Sequence, residues 1–257
     1  MTEIRPIREQ EGEQFLHLLC DVFELDYSRA SGIFFHEPMF DLQRKWALFD
    51  GSDMVSILTT VPLEFGWGRA IGIAGVATDT SRQGEGLAGT LLEHVLKESQ
   101  RQGESTAWLF AKEKGLYARC GFEVVDEVVR APLACDVDDR MNDMLTFDEI
   151  QAIYESWSVQ HPARLRRDDR RWKFWKWNLR VCTGFQGGYI CHEGKLIREC
   201  VVPERRQPWR MPSEAEWIGL STMAQSLGLP LRKPQTELYL MGLRFAGIPQ
   251  MFMTDQF

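Results

Sequence analysis

Residues 71–92, IGIAGVATDTSRQGEGLAGTLL, limit the architecture more than any other stretch of the 257-residue chain. Ile71, Ile73 and Val76 sit among small residues, as in a buried strand. Thr78-Asp79-Thr80-Ser81 then supplies side chains that cap and turn the backbone. Gly84, Gly86 and Gly89 follow, and Leu91, Leu92, Val95 and Leu96 open a helical apolar face. The spacing predicts strand, glycine-rich turn, helix. A helix N-terminus leaves N–H groups unpaired and carries partial positive charge. Glycine lets a ligand approach such a main chain with no Cβ in the way. The turn therefore suits a phosphate or pyrophosphate.

The charge around it is wrong for a broad polyanion surface. The net charge is −7, and the acidity lies in residues 1–135, with 13 Lys+Arg against 21 Asp+Glu; the remainder holds 17 and 16. A phosphate site in the acidic half must be local, and a nucleic-acid partner is disfavoured. The same acidity tolerates a cationic substrate. Met1-Thr2-Glu3-Ile4-Arg5 lacks the apolar region of a signal peptide, and no run reaches the length of a membrane span. The expectation is a cytoplasmic protein with no membrane partner. The six cysteines are scattered without a C-x-x-C pair, which points to reduced thiols and no metal.

The pattern over residues 1–135 predicts β, α, β, β, β, α, β, α, β, a mixed α/β arrangement with early hairpins and a later crossover. Pro132 and the acidic run Asp136-Val137-Asp138-Asp139 predict a boundary near 132–145. Beyond it, helices are expected over 147–158, 167–179 and 213–227. A hairpin is expected over 186–202, and strands over 238–243 and 251–254. This gives two domains, 1–135 and 145–257, the second without a glycine-rich strand-to-helix turn.

Two phosphate chemistries fit the turn. Gly84-Glu85-Gly86-Leu87-Ala88-Gly89 spells G-x-G-x-x-G, the dinucleotide fingerprint of a nucleotide-dependent oxidoreductase. That fingerprint needs an acidic residue ending the next strand, where Phe110-Ala111-Lys112 stands instead. In the other register, Gln83-Gly84-Glu85-Gly86-Leu87-Ala88 fits Q/R-x-x-G-x-G/A. Leu116-Tyr117-Ala118-Arg119-Cys120-Gly121-Phe122 fits F/L-Y-x-x-x-G-F. On these two segments the first 135 residues resemble the GCN5-related N-acetyltransferases (GNAT).

The resemblance implies the GNAT acyltransferase fold and acetyl-CoA as co-substrate. Arg82, Gln83, Gly84, Glu85, Gly86, Leu87 and Ala88 would surround the diphosphate. Backbone groups of Val76 and Thr78 would pair with the pantetheine arm at a bulged, splayed central strand. Tyr117 matches the family's general acid for the CoA thiolate, and the acceptor would be the amine of a small molecule or peptide. Glu24, His36, Glu37 and Glu64 are candidate bases, alongside an ordered water. The Asn that many members carry before the tyrosine segment is missing from Ala111-Lys112-Glu113-Lys114-Gly115. A non-catalytic CoA- or RNA-binding module on the same fold is a further alternative, and a homo-oligomer is left open.

The second half is similar, around Ala152-Ile153-Tyr154, Arg167-Asp168, Trp172 and Gly188-Tyr189-Ile190, to the second domain of Eis-like acetyltransferases. This implies a degenerate GNAT-like domain that binds no second CoA and walls the acceptor site or supplies an interface. Eis-like enzymes use the terminal carboxylate of a further domain; that role is not carried over to Phe257. The basic, aromatic stretch 164–177 reads as an amphipathic helix burying Trp172, Trp175 and Leu179, with solvated arginines opposite, in preference to an RNA-stacking surface. Met241, Met251 and Met253 are expected in the core.

Overall fold

The computed structural model describes residues 2–137, 144–178, 181–185, 187–202, 210–211 and 213–257. In chain order the first half contains β1 (Thr2–Pro6), α1 (Gly12–Phe23), α2 (Tyr27–Phe34), β2 (Lys45–Asp50), β3 (Asp53–Phe65) and β4 (Gly68–Thr78). It continues with α3 (Leu87–Arg101), β5 (Thr106–Ala111), α4 (Gly115–Arg119) and β6 (Glu123–Pro132). The second half contains β7 (Asp136–Val137), α5 (Phe147–Val159), α6 (Asp169–Trp177), β8 (Val181–Phe185), β9 (Gly188–Glu193) and β10 (Leu196–Val201). It ends with β11 (Arg210–Met211), β12 (Glu216–Leu220), α7 (Ser221–Leu227) and β13 (Gln235–Leu243).

Eleven strands form one sheet in the order β1-β2-β3-β4-β5-β13-β6-β12-β10-β9-β8, and β7 pairs with β11 separately. Within the large sheet only β4–β5 and β10–β12 are parallel. The doubly wound parallel sheet of a dinucleotide-binding unit is therefore not formed, and that reading of the glycine turn falls. β13 lies antiparallel between β5 and β6, so the last strand of the chain completes the sheet of the first half. In return β6 pairs with β12. The halves also share an element order. Each runs strand, two helices, three strands, a crossover to a strand parallel to the third, a short helix and a last strand. The crossover from β4 to β5 carries α3. Among the described residues no helix joins β10 to β12.

The core follows the alternation of the strands. Leu91, Leu92 and Val95 of α3 are buried against Ile71, Ile73 and Leu109. On the opposite face Phe15, Leu16 and Phe34 of α1 and α2 cover Ala47, Ile57 and Ala77. The second half buries Tyr154, Trp157, Trp172 and Trp175 with Tyr189 and Trp217. α2 is capped by Asp26, which accepts from Arg29 N at 2.8 Å, and α5 by a Thr146–Glu149 capping box.

Several expectations change. The sequence pattern divides residues 54–68 into a strand over 54–61 and a separate extended piece over 62–68. Instead β3 runs unbroken through Pro62, which pairs only with Ile71 of β4; β2 has ended at the Lys45–Thr59 pair, so no second neighbour needs the missing N–H. The helix expected over 213–227 begins only at Ser221, because Trp217 and Leu220 pack as strand residues between β6 and β10. A short 3-10 turn, Met253–Asp255, replaces the strand expected at 251–254. Trp172 and Trp175 are buried as expected, as are Met241, Met251 and Met253. Leu179, Gln186 and residues 138–143 of the 132–145 boundary lie outside the described residues.

The arginines of the 164–177 stretch are not all solvated. Arg167 is fully buried, its guanidinium bidentate to Glu199 (3.1 and 2.8 Å) and to Asp255 (2.9 and 2.7 Å) and stacked 3.8 Å over Tyr154. Glu199 also accepts from Trp175 Nε1 at 2.9 Å, Tyr189 Oη and Thr254 Oγ1. Burial pushes the Glu199 carboxyl up, but Arg167 and these donors outweigh it and hold it below the usual range. A charge cluster with every lone pair engaged is tolerated in a core where a lone charge is not.

Candidate functional site

The parallel pairing of β4 with β5 runs from Ala70–Thr106 to Ile73–Leu109 and stops there. Beyond it β4 continues for five residues, Ala74–Thr78, paired only with β3. Opposite, the end of β5 turns to β13 through Phe110–Leu240 and Ala111–Tyr239. A slot thus opens between β4 and β5, and Val76 and Thr78 stand on its β4 side. The β3–β4 register shifts between Ile57 and Thr59, placing a bulge at Gly75-Val76. Gly75 has φ +57, and a Cβ there would lie 3.1 Å from Leu19 Cδ1, so the bulge requires glycine.

β4 leads directly into the turn. Asp79 accepts from Ser81 N and Oγ at 2.8 and 2.7 Å and shapes a short 3-10 segment. Gly84 and Gly86 follow at φ +87 and +80, and Gly86 is the N-cap of α3 with no side-chain cap. A Cβ at either position would meet nothing within 4 Å, so the space above the turn is open. The first bond of α3 is Thr90 N to Gly86 O at 3.0 Å, so the N–H groups of Gly86 to Gly89 have no intrahelical acceptor. These donors at a helix N-terminus, exposed to half-exposed, constitute an anion site.

The flanking side chains behave differently. Arg82 is bidentate to Glu85 at 2.7 and 2.8 Å and reaches Asp50 at 3.4 Å, so its charge braces the turn internally. Gln83 Nε2 donates to Thr78 O at 3.3 Å, and Thr78 Oγ1 lies 2.9 Å from Ser56 Oγ. Leu87 and Ala88 are half-buried in the first turn of α3.

α4 packs beside this helix start: a Cβ on Gly89 would touch Cys120 Sγ at 4.0 Å. Tyr117 is half-buried against the α3 core, its ring edge-on to Phe122 at 6.3 Å. Burial, aided by Cys120, pushes the phenol pKa up, which keeps it a proton donor.

On the other face of β4, next to the bulge, lies a pocket of about 600 Å³, within the usual range of small-molecule sites. Ala74 and Gly75 form its end by the slot, Lys45, Thr59 and Val61 its floor, and α1 and α2 its walls. Of the four candidate bases, Glu24 and Glu37 line it and His36 does not. Glu64 pairs with Arg69 near the start of β4 and lines a separate polar cleft, six residues and about 20 Å along the strand from the bulge. The sequence pattern did not single out Lys45. It is buried, 3.5 Å from Glu37 and 4.5 Å from the Phe34 ring centre; burial lowers its pKa and Glu37 partly offsets this. Two second-half elements reach this region. Arg170 of α6 donates to the carbonyls of Pro38 and Phe40 at 2.9 and 2.7 Å, holding the segment after α2. The Phe257 ring covers Gly72 and packs 5.4 Å from Phe110.

No group of three or more His, Cys, Asp or Glu able to hold a metal occurs among the described residues, and none of their helices is long and apolar enough to cross a membrane.

Comparison with known proteins bears on this arrangement. Residues 3–125 match the family model of the acetyltransferase (GNAT) domain. No curated protein matches the sequence. A GCN5-related N-acetyltransferase from Anabaena variabilis superposes with TM-score 0.68 at 16% identity, covering 94% of this chain and 72% of that one. A candidate acetyltransferase from Pyrococcus horikoshii gives TM-score 0.70 at 14% identity, over 97% and 91% of the two chains. Eis1 from Mycobacterium abscessus gives 0.62 at 13%, over 93% and 73%.

Proposed function

The chain has the mixed α/β GNAT fold, and we propose that it transfers the acetyl group of acetyl-CoA to a primary amine. The observation that carries this reading is the group of uncapped N–H donors from Gly86 to Gly89 at the start of α3, following β4 where the slot between β4 and β5 opens. The diphosphate of CoA binds those donors, with Gly84, Gly86, Leu87 and Ala88 supplying main chain. Arg82 and Glu85 hold the turn's shape as an ion pair. The pantetheine arm runs into the slot as an extra strand along Val76 and Thr78, and brings the thioester beside the bulge. The acceptor enters from the opposite side, through the pocket that ends at Ala74 and Gly75.

The amine nitrogen, once neutral, attacks the thioester carbonyl. The resulting oxyanion is met by a main-chain N–H near Val76. The carbon–sulfur bond then breaks and Tyr117 donates its proton to the departing sulfur. The raised pKa of Tyr117 suits that role, since the phenol stays protonated at neutral pH. The proton lost by the amine leaves through water toward the carboxylates of the pocket, Glu24 and Glu37.

The second half reads as a degenerate copy of the first, supported by the repeated element order and the reciprocal pairing of β6 and β13. The sequence between β10 and β12, residues 202–215, contains no glycine and so lacks the glycine-rich turn on which a second diphosphate site would depend. The second half's part at the acceptor pocket is indirect: Arg170 braces the segment after α2, and Phe257 covers Gly72, two residues before the pocket's Ala74.

Calorimetry with acetyl-CoA, followed by thiol-release assays over a panel of amines, tests the reading. Stoichiometric binding and amine-dependent CoA release are expected. Absence of binding at millimolar acetyl-CoA overturns it.

A further inference from the structure

Exposed apolar side chains cluster in the segment that walls the acceptor pocket. Phe23, Leu25, Ile33 and Phe35 are 37–48% exposed and fall within thirteen residues, at the end of α1 and along α2. Leu25 and Ile33 belong to the pocket wall, and Leu16 and Phe34 continue it inward. Exposed Leu25 and Ile33 leading into buried Leu16 and Phe34 give the pocket an apolar wall open to solvent, the character of a binding surface.

The charges in the same pocket are mostly engaged. Asp26 caps α2, and Glu37 pairs with Lys45. Three lining carboxylates (Glu24, Asp26, Glu37) face two lining cations, Arg29 and Lys45, which leaves an excess of one negative charge. Glu24 is exposed, accepts no hydrogen bond among the described residues, and sits at φ +53 as the C-cap of α1. A non-glycine residue in that region is strained, and such strain gathers at functional positions. Glu24 follows Leu19 by five residues, about one and a half helical turns, and Leu19 borders the bulge. The pocket therefore offers an apolar body site and a single uncommitted carboxylate.

We infer that the acceptor is a primary amine on an alkyl or aryl body, drawn in as the ammonium ion by Glu24 and seated against Leu16, Leu25, Ile33 and Phe34. This rests on the acetyl-transfer reading and narrows it. A polyhydroxylated amine is a poor fit, because its hydroxyls would lose water without gaining partners on those walls.

The test separates the two levels. Acetyl-CoA affinity is measured first by calorimetry, without any amine. CoA release is then followed with hexylamine, 2-phenylethylamine and glucosamine. The apolar amines are expected to give kcat/KM values at least about tenfold above glucosamine, since each buried, unpartnered hydroxyl carries a substantial penalty. Ile33→Asp, at an exposed position that tolerates polarity, should lower kcat/KM for 2-phenylethylamine by roughly tenfold without changing acetyl-CoA affinity. Glu24→Gln should lower it roughly three- to fivefold, the scale of one solvent-exposed ion pair. Preference for glucosamine, no turnover of the apolar amines by protein that binds acetyl-CoA, or an Ile33→Asp variant with unchanged selectivity overturns the assignment of substrate class while acetyl-CoA binding stands. Failure to bind acetyl-CoA removes the reading beneath it.

Discussion

Replacing Gly86 with valine separates backbone strain from ligand contact. Gly86 sits at φ +80, and a Cβ built there meets no atom within 4 Å. The cost to the folded protein is thus conformational, about 1–2 kcal/mol for an L-residue in the left-handed region. A chain of this size should lose about 2–4 °C in Tm per kcal/mol, giving a fall of about 2–8 °C. Affinity should fall far more. If the strained residue turns the Gly86 and Leu87 N–H groups away from the diphosphate, two charge-assisted hydrogen bonds are lost, at about 1.5–3 kcal/mol each. That corresponds to a 10²- to 10⁴-fold weaker acetyl-CoA complex. Gly51 provides the control. It lies in the β2–β3 hairpin at φ +64, also with open space around its Cβ position. Gly51→Val should reproduce the thermal shift and leave acetyl-CoA affinity unchanged. Thermal denaturation and calorimetry on the three proteins decide the matter. Equal acetyl-CoA affinities with the expected thermal shifts would refute a role for the turn in binding the diphosphate.

Tyr117→Phe should lower kcat about a hundredfold or more with acetyl-CoA affinity unchanged; in the parent protein the raised phenol pKa predicts that any alkaline fall in rate from its ionisation comes at higher pH than for a free tyrosine, checked by a pH–rate profile. Gly75→Ala should cost about 1–2 kcal/mol from its positive φ and push Leu19 into the acceptor pocket, raising KM for the amine more than that for acetyl-CoA in steady-state kinetics. Arg167→Met should leave Glu199 and Asp255 buried without their cation and cost about 3–5 kcal/mol, read as a fall in Tm of at least about 6 °C. Because the folded Glu199 carboxyl lies below its ordinary value, its contribution is complete above about pH 4.5 and is lost as pH falls through the folded value. Tm of the parent protein should therefore drop more steeply below pH 4 than that of Glu199→Gln.

The glycine turn was legible because its requirements are local. Positive φ at Gly84 and Gly86 admits little but glycine, and the helix that follows declares itself by apolar spacing. The strand-to-turn-to-helix order, the early hairpin and the burial of Trp172 and Trp175 came through on the same kind of evidence. Other features depend on partners far along the chain. Glu216–Leu220 looks helical beside the residues that follow it, yet it becomes a strand because β6 and β10 flank it. Arg167 stands in a basic run that suggests solvent, and only the meeting with Glu199 and Asp255, 32 and 88 residues away, makes its burial tolerable. The acceptor pocket is assembled from two helices and three strands, so no single window of sequence announced Lys45 or separated Glu24 and Glu37 from His36 and Glu64.

The position of β13 has a consequence for how the molecule is made. Ala107–Leu109 receive their second hydrogen-bonded neighbour, and Phe110 and Ala111 their first, only when residues 239–243 arrive, long after β5 has been synthesised. Until then the first half carries a naked β-edge next to the slot between β4 and β5, a template for pairing with other chains. The edge is closed by a stitch drawn from the second half, and a fragment cut near residue 135 for separate expression would inherit the open edge permanently.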